Sequence, residues 1–88
     1  MQLEEQKRLE ILIDKYNNTD SSIIKENIIK YINASPYKSQ YIADAVGVDI
    51  QTIYLWRQPQ KKTTVSFEYA LKLCNVLGIS ITALMNQY

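Results

Sequence analysis

The chain has 88 residues, with ten basic and nine acidic side chains and a formal net charge of +1. Its hydrophobic fraction of 47%, with only two Gly and two Pro, favours a folded domain over a disordered or collagen-like chain. One Cys and no His exclude an internal disulfide, a zinc site of the Cys/His type and a His-activated nucleophile. We therefore expect a protein that is not an enzyme and that uses no cofactor and no metal.

No apolar run approaches the roughly 20 residues that a membrane-spanning helix requires. The first residues, MQLEEQKRLE, are rich in acidic side chains and lack the small-residue cleavage site of a secretory signal peptide. We therefore expect no membrane association and a cytoplasmic location.

The first predicted element is an amphipathic helix over residues 3–16, because apolar residues recur there at helical spacing. An isolated helix of about 14 residues is marginal in water, so this helix must pack on the rest of the chain or pair with its twin in a homodimer. The candidate dimer contacts are Leu9, Leu12, Ile13 and Tyr16. Residues 17–22 are Asn, Thr, Asp and Ser, which predicts a linker that ends in a helix N-cap. The predicted organisation is a helix and linker at 1–20 and a domain at 21–88.

Five short helices are predicted in the remaining chain, and no stretch shows the alternation of a strand, so the expected fold class is all-α. The first three cover residues 22–33, 39–46 and 50–57. Ser66 is predicted to cap the fourth, whose apolar positions are Phe67, Ala70, Leu71, Cys74 and Leu77. The last short helix contains Ile81, Leu84 and Met85.

The most informative stretch is residues 39–58, SQYIADAVGVDIQTIYLWRQ. It places two short helices on either side of Gly47, which can take the left-handed backbone conformation without steric cost. Small Ala43 suits the point where the helices approach. The apolar residues spaced to hold the two helices together are Ile42, Ala43, Val46, Val48, Ile53 and Trp56. These are the requirements of a helix-turn-helix, in which one face of the second helix is exposed to solvent.

This stretch resembles the motif of the lambda-repressor-like DNA-binding domains of the Cro and xenobiotic-response-element type. The family's Ala, Gly and branched aliphatic positions fall on Ala43, Gly47 and Ile53, and its capped fourth helix matches Ser66-Phe67-Glu68. The resemblance extends over residues 22–87. It implies a five-helix domain preceded by an extra N-terminal helix, and a transcriptional regulator of the Cro-like repressor kind. Many family members of this size serve phages, plasmids and other mobile elements, which implies a bacterial or phage-encoded protein.

The resemblance also implies roles for individual residues. In the family the second helix of the motif enters the DNA major groove, and the matching base-facing positions here are Ile50, Gln51, Tyr54 and Leu55. Phosphate contacts are expected from the start of the first motif helix and from the segment after the second. These are Lys38, Ser39, Gln40, Thr52, Arg57, Lys61, Lys62 and Thr63. A homodimer of such domains would bind an inverted-repeat operator.

The charge distribution is compatible with this function. Residues 1–37 hold five basic and six acidic side chains, whereas residues 38–88 hold five basic and three acidic. The segment 50–64 contains Arg57, Lys61 and Lys62 and no acid, which can support contact with phosphates, although a solvated loop can have the same composition.

Two other functions remain open from the sequence. An exposed face with Ile50, Tyr54 and Leu55 is also typical of a protein interface, so a domain of this fold can bind a regulatory protein partner as an inhibitor or antirepressor. A helical structural module with no nucleic-acid role is the third possibility. The Lys and Thr residues at 61–64 favour DNA, since phosphates would lie beside them.

Overall fold

The computed structural model describes residues 2–86, with side chains from residue 6 onwards. Over this range the fold is all-α, as predicted, and contains no strand. The elements are α1 (Gln2–Asn18), α2 (Ser21–Ala34), α3 (Ser39–Val46), α4 (Ile50–Arg57), α5 (Phe67–Leu77) and a single 3-10 turn (Ile81–Leu84). In the described part of the chain no helix is both long enough and apolar enough to cross a membrane.

The bounds of α3 and α4 are those predicted, but the linker between α1 and α2 is shorter than expected. The predicted linker at 17–22 shrinks to Thr19 and Asp20, because α1 continues to Asn18. Thr19 ends α1 by donating its hydroxyl to the Lys15 carbonyl at 2.7 Å. Asp20 starts α2 by accepting from the Ser22 amide at 2.9 Å, and the same hydrogen bond lowers the pKa of Asp20.

The core draws on every helix, and α1 contributes Tyr16. Fully buried aliphatic side chains come from α2, α3, α4, α5 and the 3-10 turn, and they include Ile28, Ile42, Ile53, Leu73 and Leu84. Helix α2 contacts α4 and the 3-10 turn, and α3 contacts α4 and α5. Helices α3 and α4 each have only eight residues, so this shared core holds their orientation.

Helix α5 begins at the predicted cap but is rotated relative to the predicted apolar face. The Ser66 hydroxyl accepts from the Tyr69 amide at 3.5 Å. Leu71, predicted to be apolar-facing, is exposed, whereas Leu73 is fully buried. Ala70, Leu73 and Cys74 follow the i, i+3, i+4 spacing of one helix face, so the buried face is centred on these residues. The final element is one 3-10 turn instead of an α-helix.

Helix α1 packs on the rest of the chain at its C-terminal end. The Tyr16 hydroxyl donates to the Val65 carbonyl at 2.6 Å, and its ring lies edge-on to Phe67 with centroids 5.5 Å apart. Leu12 also packs against the core. Tyr16 is therefore a core residue of its own chain and not a dimer contact, which corrects the sequence-based expectation.

Two buried ionisable groups sit at the contact between α1 and α5. Burial, with a smaller contribution from the Cys74 thiolate, raises the pKa of Tyr16 from 10.0 to about 12. Burial likewise raises the pKa of Cys74 from 9.0 to about 11. Folding therefore favours the neutral form of each group.

We expect the free energy of unfolding to fall as the pH rises from 9.0 towards 12. The folded chain binds both protons more tightly than the unfolded chain, so this contribution to stability is fully present below pH 9.0 and is lost as the pH passes through about 11 and 12. Tyr16→Phe removes the phenol proton and should flatten the decline above pH 10.0. Denaturant unfolding of both proteins across this range measures the effect, and parallel curves with a constant offset would contradict it.

Candidate functional site

The turn between α3 and α4 is fixed by hydrogen bonds on both sides. Gly47 has φ 87° and ψ 35°, in the left-handed region. The amides of Gly47 and Val48 both donate to the Ala43 carbonyl, at 2.8 and 3.0 Å. On the far side, the Asp49 carboxylate accepts from the Gln51 amide at 2.9 Å and so caps α4. The left-handed conformation predicted for Gly47 is confirmed.

The residues predicted to hold α3 against α4 lie where that role requires. Five of them are buried, namely Ile42, Ala43, Val46, Ile53 and Trp56. Val48 is half-buried and packs against the same core. The fully buried Ala43 leaves no room for a larger side chain between the helices.

With Ile53 and Trp56 turned inwards, the outer side of α4 is open to solvent. Gln51 is exposed, and Tyr54 and Leu55 are 43% and 40% exposed. Ile50 is half-buried and packs against the core, so its predicted base-facing role is not supported by its position. We call Gln51, Tyr54 and Leu55 the outer face of α4.

The end of α4 is joined to the start of α3 by Arg57. Its guanidinium donates to the Ser39 hydroxyl at 2.8 Å and to the Asn33 side-chain carbonyl at 3.0 Å. The Ser39 side chain is buried, so its hydroxyl serves this internal bond and is not open to a phosphate as predicted. Lys38 occupies the N-cap of α3 without a side-chain cap bond, which leaves the positive end of this helix open to an anion.

The segment after α4 is held by a buried lysine of α2. Lys25 is 7% exposed, and burial lowers the pKa of its ammonium. That ammonium donates to the Leu55 carbonyl at 2.8 Å, to the Lys61 carbonyl at 3.0 Å and to the Thr63 hydroxyl. Thr63 is consequently half-buried, and its hydroxyl already accepts a hydrogen bond. We call residues 58–64 the basic loop.

The predicted phosphate contacts fall into two groups in the structure. The first group surrounds the start of α3 and contains Lys38, Ser39, Gln40 and the Arg57 guanidinium, which reaches Ser39 from the end of α4. The second group lies in the basic loop and contains Lys61, Lys62 and Thr63. Lys38, Gln40, Arg57, Lys61 and Lys62 have exposed side chains. The Gln40 amide donates to the Asp44 carboxylate at 2.8 Å, which places an acidic group beside the first set. Thr52, in the middle of α4, is half-buried and joins neither group.

Two polar residues that shape this site are missed by the sequence analysis. Lys25 shares the i, i+3, i+7 face with Ile28 and Ile32, and this spacing is a signal that its side chain lies at the edge of the core. Asn33 has no comparable signal, because its partner Arg57 is 24 residues away.

Among the side chains of residues 6–86, no three His, Cys, Asp or Glu form a group that could hold a metal ion. No protein-family model, curated protein or solved structure matches this chain.

We expect Gly47→Ala to lower the free energy of unfolding by about 1–2 kcal/mol, the cost of a left-handed backbone for an L-residue. A Cβ at Gly47 would meet no atom within 4 Å, so the loss would report backbone strain and not a clash. Gly47→Asn is the matched control and should lose less, because Asn adopts this conformation more readily. Urea unfolding measures all three, and a G47A protein as stable as the wild type would contradict the turn geometry.

Proposed function

We propose that this protein is a sequence-specific double-stranded DNA-binding regulator of transcription. Its fold would be that of a lambda-repressor-like helix-turn-helix domain, with α3 and α4 as the motif. It would act as a Cro-like repressor that occupies an inverted-repeat operator as a homodimer. The observation that carries the proposal is that α4 buries one side and exposes the other, with exposed basic side chains at its C-terminal end and in the loop that follows.

The dimensions and chemistry of α4 suit the major groove. Its eight residues give a length of about 12 Å, close to the groove width of about 12 Å. Gln51 lies in the first turn with an exposed side chain, and its amide can pair with both N6 and N7 of adenine. Leu55 and the ring of Tyr54 can pack on a thymine methyl group. The outer face would therefore favour operator positions rich in A·T pairs.

The two basic groups, one at the start of α3 and one in the basic loop, would contact the DNA backbone. Arg57 and the uncapped start of α3 would contact one set of phosphates, because first-turn amides and the helix dipole attract anions. Lys61 and Lys62, in the loop that follows the C-terminal end of α4, would contact further phosphates. Each neutralised phosphate adds about −0.9 to the slope of log affinity against log salt concentration, so binding would be strongly salt-dependent.

The proposed homodimer would form through the part of α1 that does not pack on the core. Leu9 and Ile11 are 45% and 66% exposed, and Ile13 is half-buried. One DNA-binding module buries only about 600–1,000 Å², which favours two copies on two half-sites. Of the predicted dimer contacts, Leu9 and Ile13 remain available for this role.

A protein-binding function is the second candidate, and the exposure of Tyr54 and Leu55 favours it. Large apolar side chains clustered on an exposed helix face are typical of interface hot spots. In that case the same face would bind a protein partner, and the basic groups would contribute little.

We expect Gln51→Ala to weaken binding to the preferred operator by about 1–3 kcal/mol and to relax specificity at one base pair. The operator would first be selected from random double-stranded DNA with the purified protein. Asn75→Ala, which truncates an exposed amide on α5, is the matched control and should leave affinity unchanged. Failure to enrich any sequence would overturn the DNA proposal and favour the protein-binding function.

We expect Lys61→Ala to weaken binding to all sequences alike and to reduce the salt slope by about one unit. Lys72→Ala removes the same charge from α5, where Lys72 pairs with Glu68 at 3.8 Å, and should leave the slope unchanged. Titration at several salt concentrations measures both. Equal effects of K61A and K72A would indicate a general charge effect and not a contact made by the basic loop.

We expect the protein to sediment as a dimer on an inverted-repeat operator, with half-sites about one helical turn apart. Replacing Leu9 with Glu should weaken the dimer, because a charge would enter the apolar contact. Sedimentation of the wild type and L9E, with and without DNA, tests this. A wild-type monomer that binds the operator with one copy would contradict the dimer while leaving DNA binding intact.

A further inference from the structure

We propose that Lys25 is a positioning residue for DNA binding, whose buried ammonium fixes the basic loop relative to the end of α4. This inference rests on the proposed function, and it adds a residue that lies outside both the outer face and the two basic groups. Lys25 would act through Lys61 and Lys62, without contacting DNA itself.

The hydrogen-bond geometry shows how one atom connects three segments. The Lys25 Nζ lies on α2, and its acceptors are the carbonyl of Leu55 in the last turn of α4, the carbonyl of Lys61 and the hydroxyl of Thr63. An ammonium has three N–H groups, and these three acceptors use all of them. The Lys25 ammonium therefore joins α2, α4 and the basic loop at a single point.

A cation suits this position although all three acceptors are neutral. Leu55 lies at the C-terminal end of α4, where the negative end of the helix dipole favours a positive charge. Its carbonyl accepts from the Gln58 amide at 3.3 Å as well as from the Lys25 ammonium. Hydrogen bonds from a charged donor are roughly twice as strong as neutral ones. The ammonium thus caps α4 from outside the helix, and a neutral side chain would hold the carbonyl of Leu55 less firmly.

The inner side of the basic loop is incompletely packed. A cavity of about 410 Å³ separates it from the first turns of α2, with Ser22, Glu26, Pro59 and Lys62 among its lining residues. A loop above a cavity lacks the close packing that fixes core segments. The Lys25 hydrogen bonds therefore help to fix the loop, together with bonds within the loop backbone. One of these runs from the Thr63 amide to the Lys61 carbonyl at 3.0 Å.

The consequence for binding follows from the exposed ammonium groups of Lys61 and Lys62. Both belong to the loop segment whose backbone Lys25 holds, so a change at Lys25 would displace two phosphate contacts at once. Lys25 itself is 7% exposed with its three donors used, so it has none to offer a phosphate.

The test compares two buried polar residues of the same helix. Lys25→Met keeps the unbranched chain as far as the ε position and removes the ammonium. Asn27→Leu is the matched control: Asn27 is also buried, and its amide donates to the carbonyls of Leu84 and Asn86, both at 2.8 Å. Both variants should lose stability, but only K25M should release the basic loop.

The first readout needs no DNA. Amide hydrogen exchange of Lys61 and Thr63 is measured under conditions in which each variant is folded. In K25M it should be about tenfold faster than in the wild type, or more, because the loop can then open without the rest of the domain unfolding. N27L should leave these amides as they are in the wild type. If K25M is not folded under any condition, Thr63→Val removes one acceptor and should produce a smaller acceleration in the same amides. Unchanged exchange in the folded K25M protein would overturn the inference.

The second readout is the salt dependence of operator binding. K25M should reduce the slope by about two units, as Lys61 and Lys62 together would, and should add little in a K61A/K62A background. A K25M slope equal to that of N27L, or full additivity with K61A/K62A, would overturn the positioning role. Wild-type protein without salt-dependent DNA binding would instead overturn the proposed function, while the exchange experiment still decides whether Lys25 holds the loop.

Discussion

The burial of Ile53 and Trp56 against α3 is the constraint on which the candidate site depends. An isolated helix shorter than about 12–15 residues is marginal in water, and α4 has eight. It therefore exists as a helix because its inner side is packed and both ends are capped, by Asp49 at the start and by the Gln58 amide and the Lys25 ammonium at the end. The same packing decides which residues face solvent. A different register on α3 would bury Gln51 or Tyr54 and remove the outer face.

Buried polar side chains hold the irregular segments of this small domain. Tyr16, Lys25 and Asn27 each donate to carbonyls outside regular helices, namely those of Val65, Lys61 and Asn86. A buried carbonyl without a donor is costly, and segments without helical bonds must find donors elsewhere. Among the described residues no buried side-chain nitrogen or oxygen lacks a partner. The loops are thus fixed by donors from α1 and α2 as much as by apolar contact.

Local signals account for what the sequence predicts well. Gly47, Asp49 and Ser66 mark helix ends through chemistry within a few residues, and the bounds of α3 and α4 follow from it. The outer face follows from the spacing of Ile53 and Trp56, although Ile50 turns partly inwards. The pairing of Arg57 with Ser39 and Asn33, and of Lys25 with the basic loop, joins residues 18 to 38 positions apart. Nothing in the sequence specifies such partners, because they arise only when the helices pack.

The bond between Tyr16 and the Val65 carbonyl spans 49 residues of the chain. Closing so long a loop costs chain entropy before any contact can repay it. The docking of α1 is therefore favourable only once α2 to α5 have already brought Val65 and Phe67 into place. Helix α1 would therefore reach its native position only after α2 to α5 have packed. Until then the apolar side chains of α1 are exposed to solvent. In the native structure two of them, Leu12 and Tyr16, pack on the core.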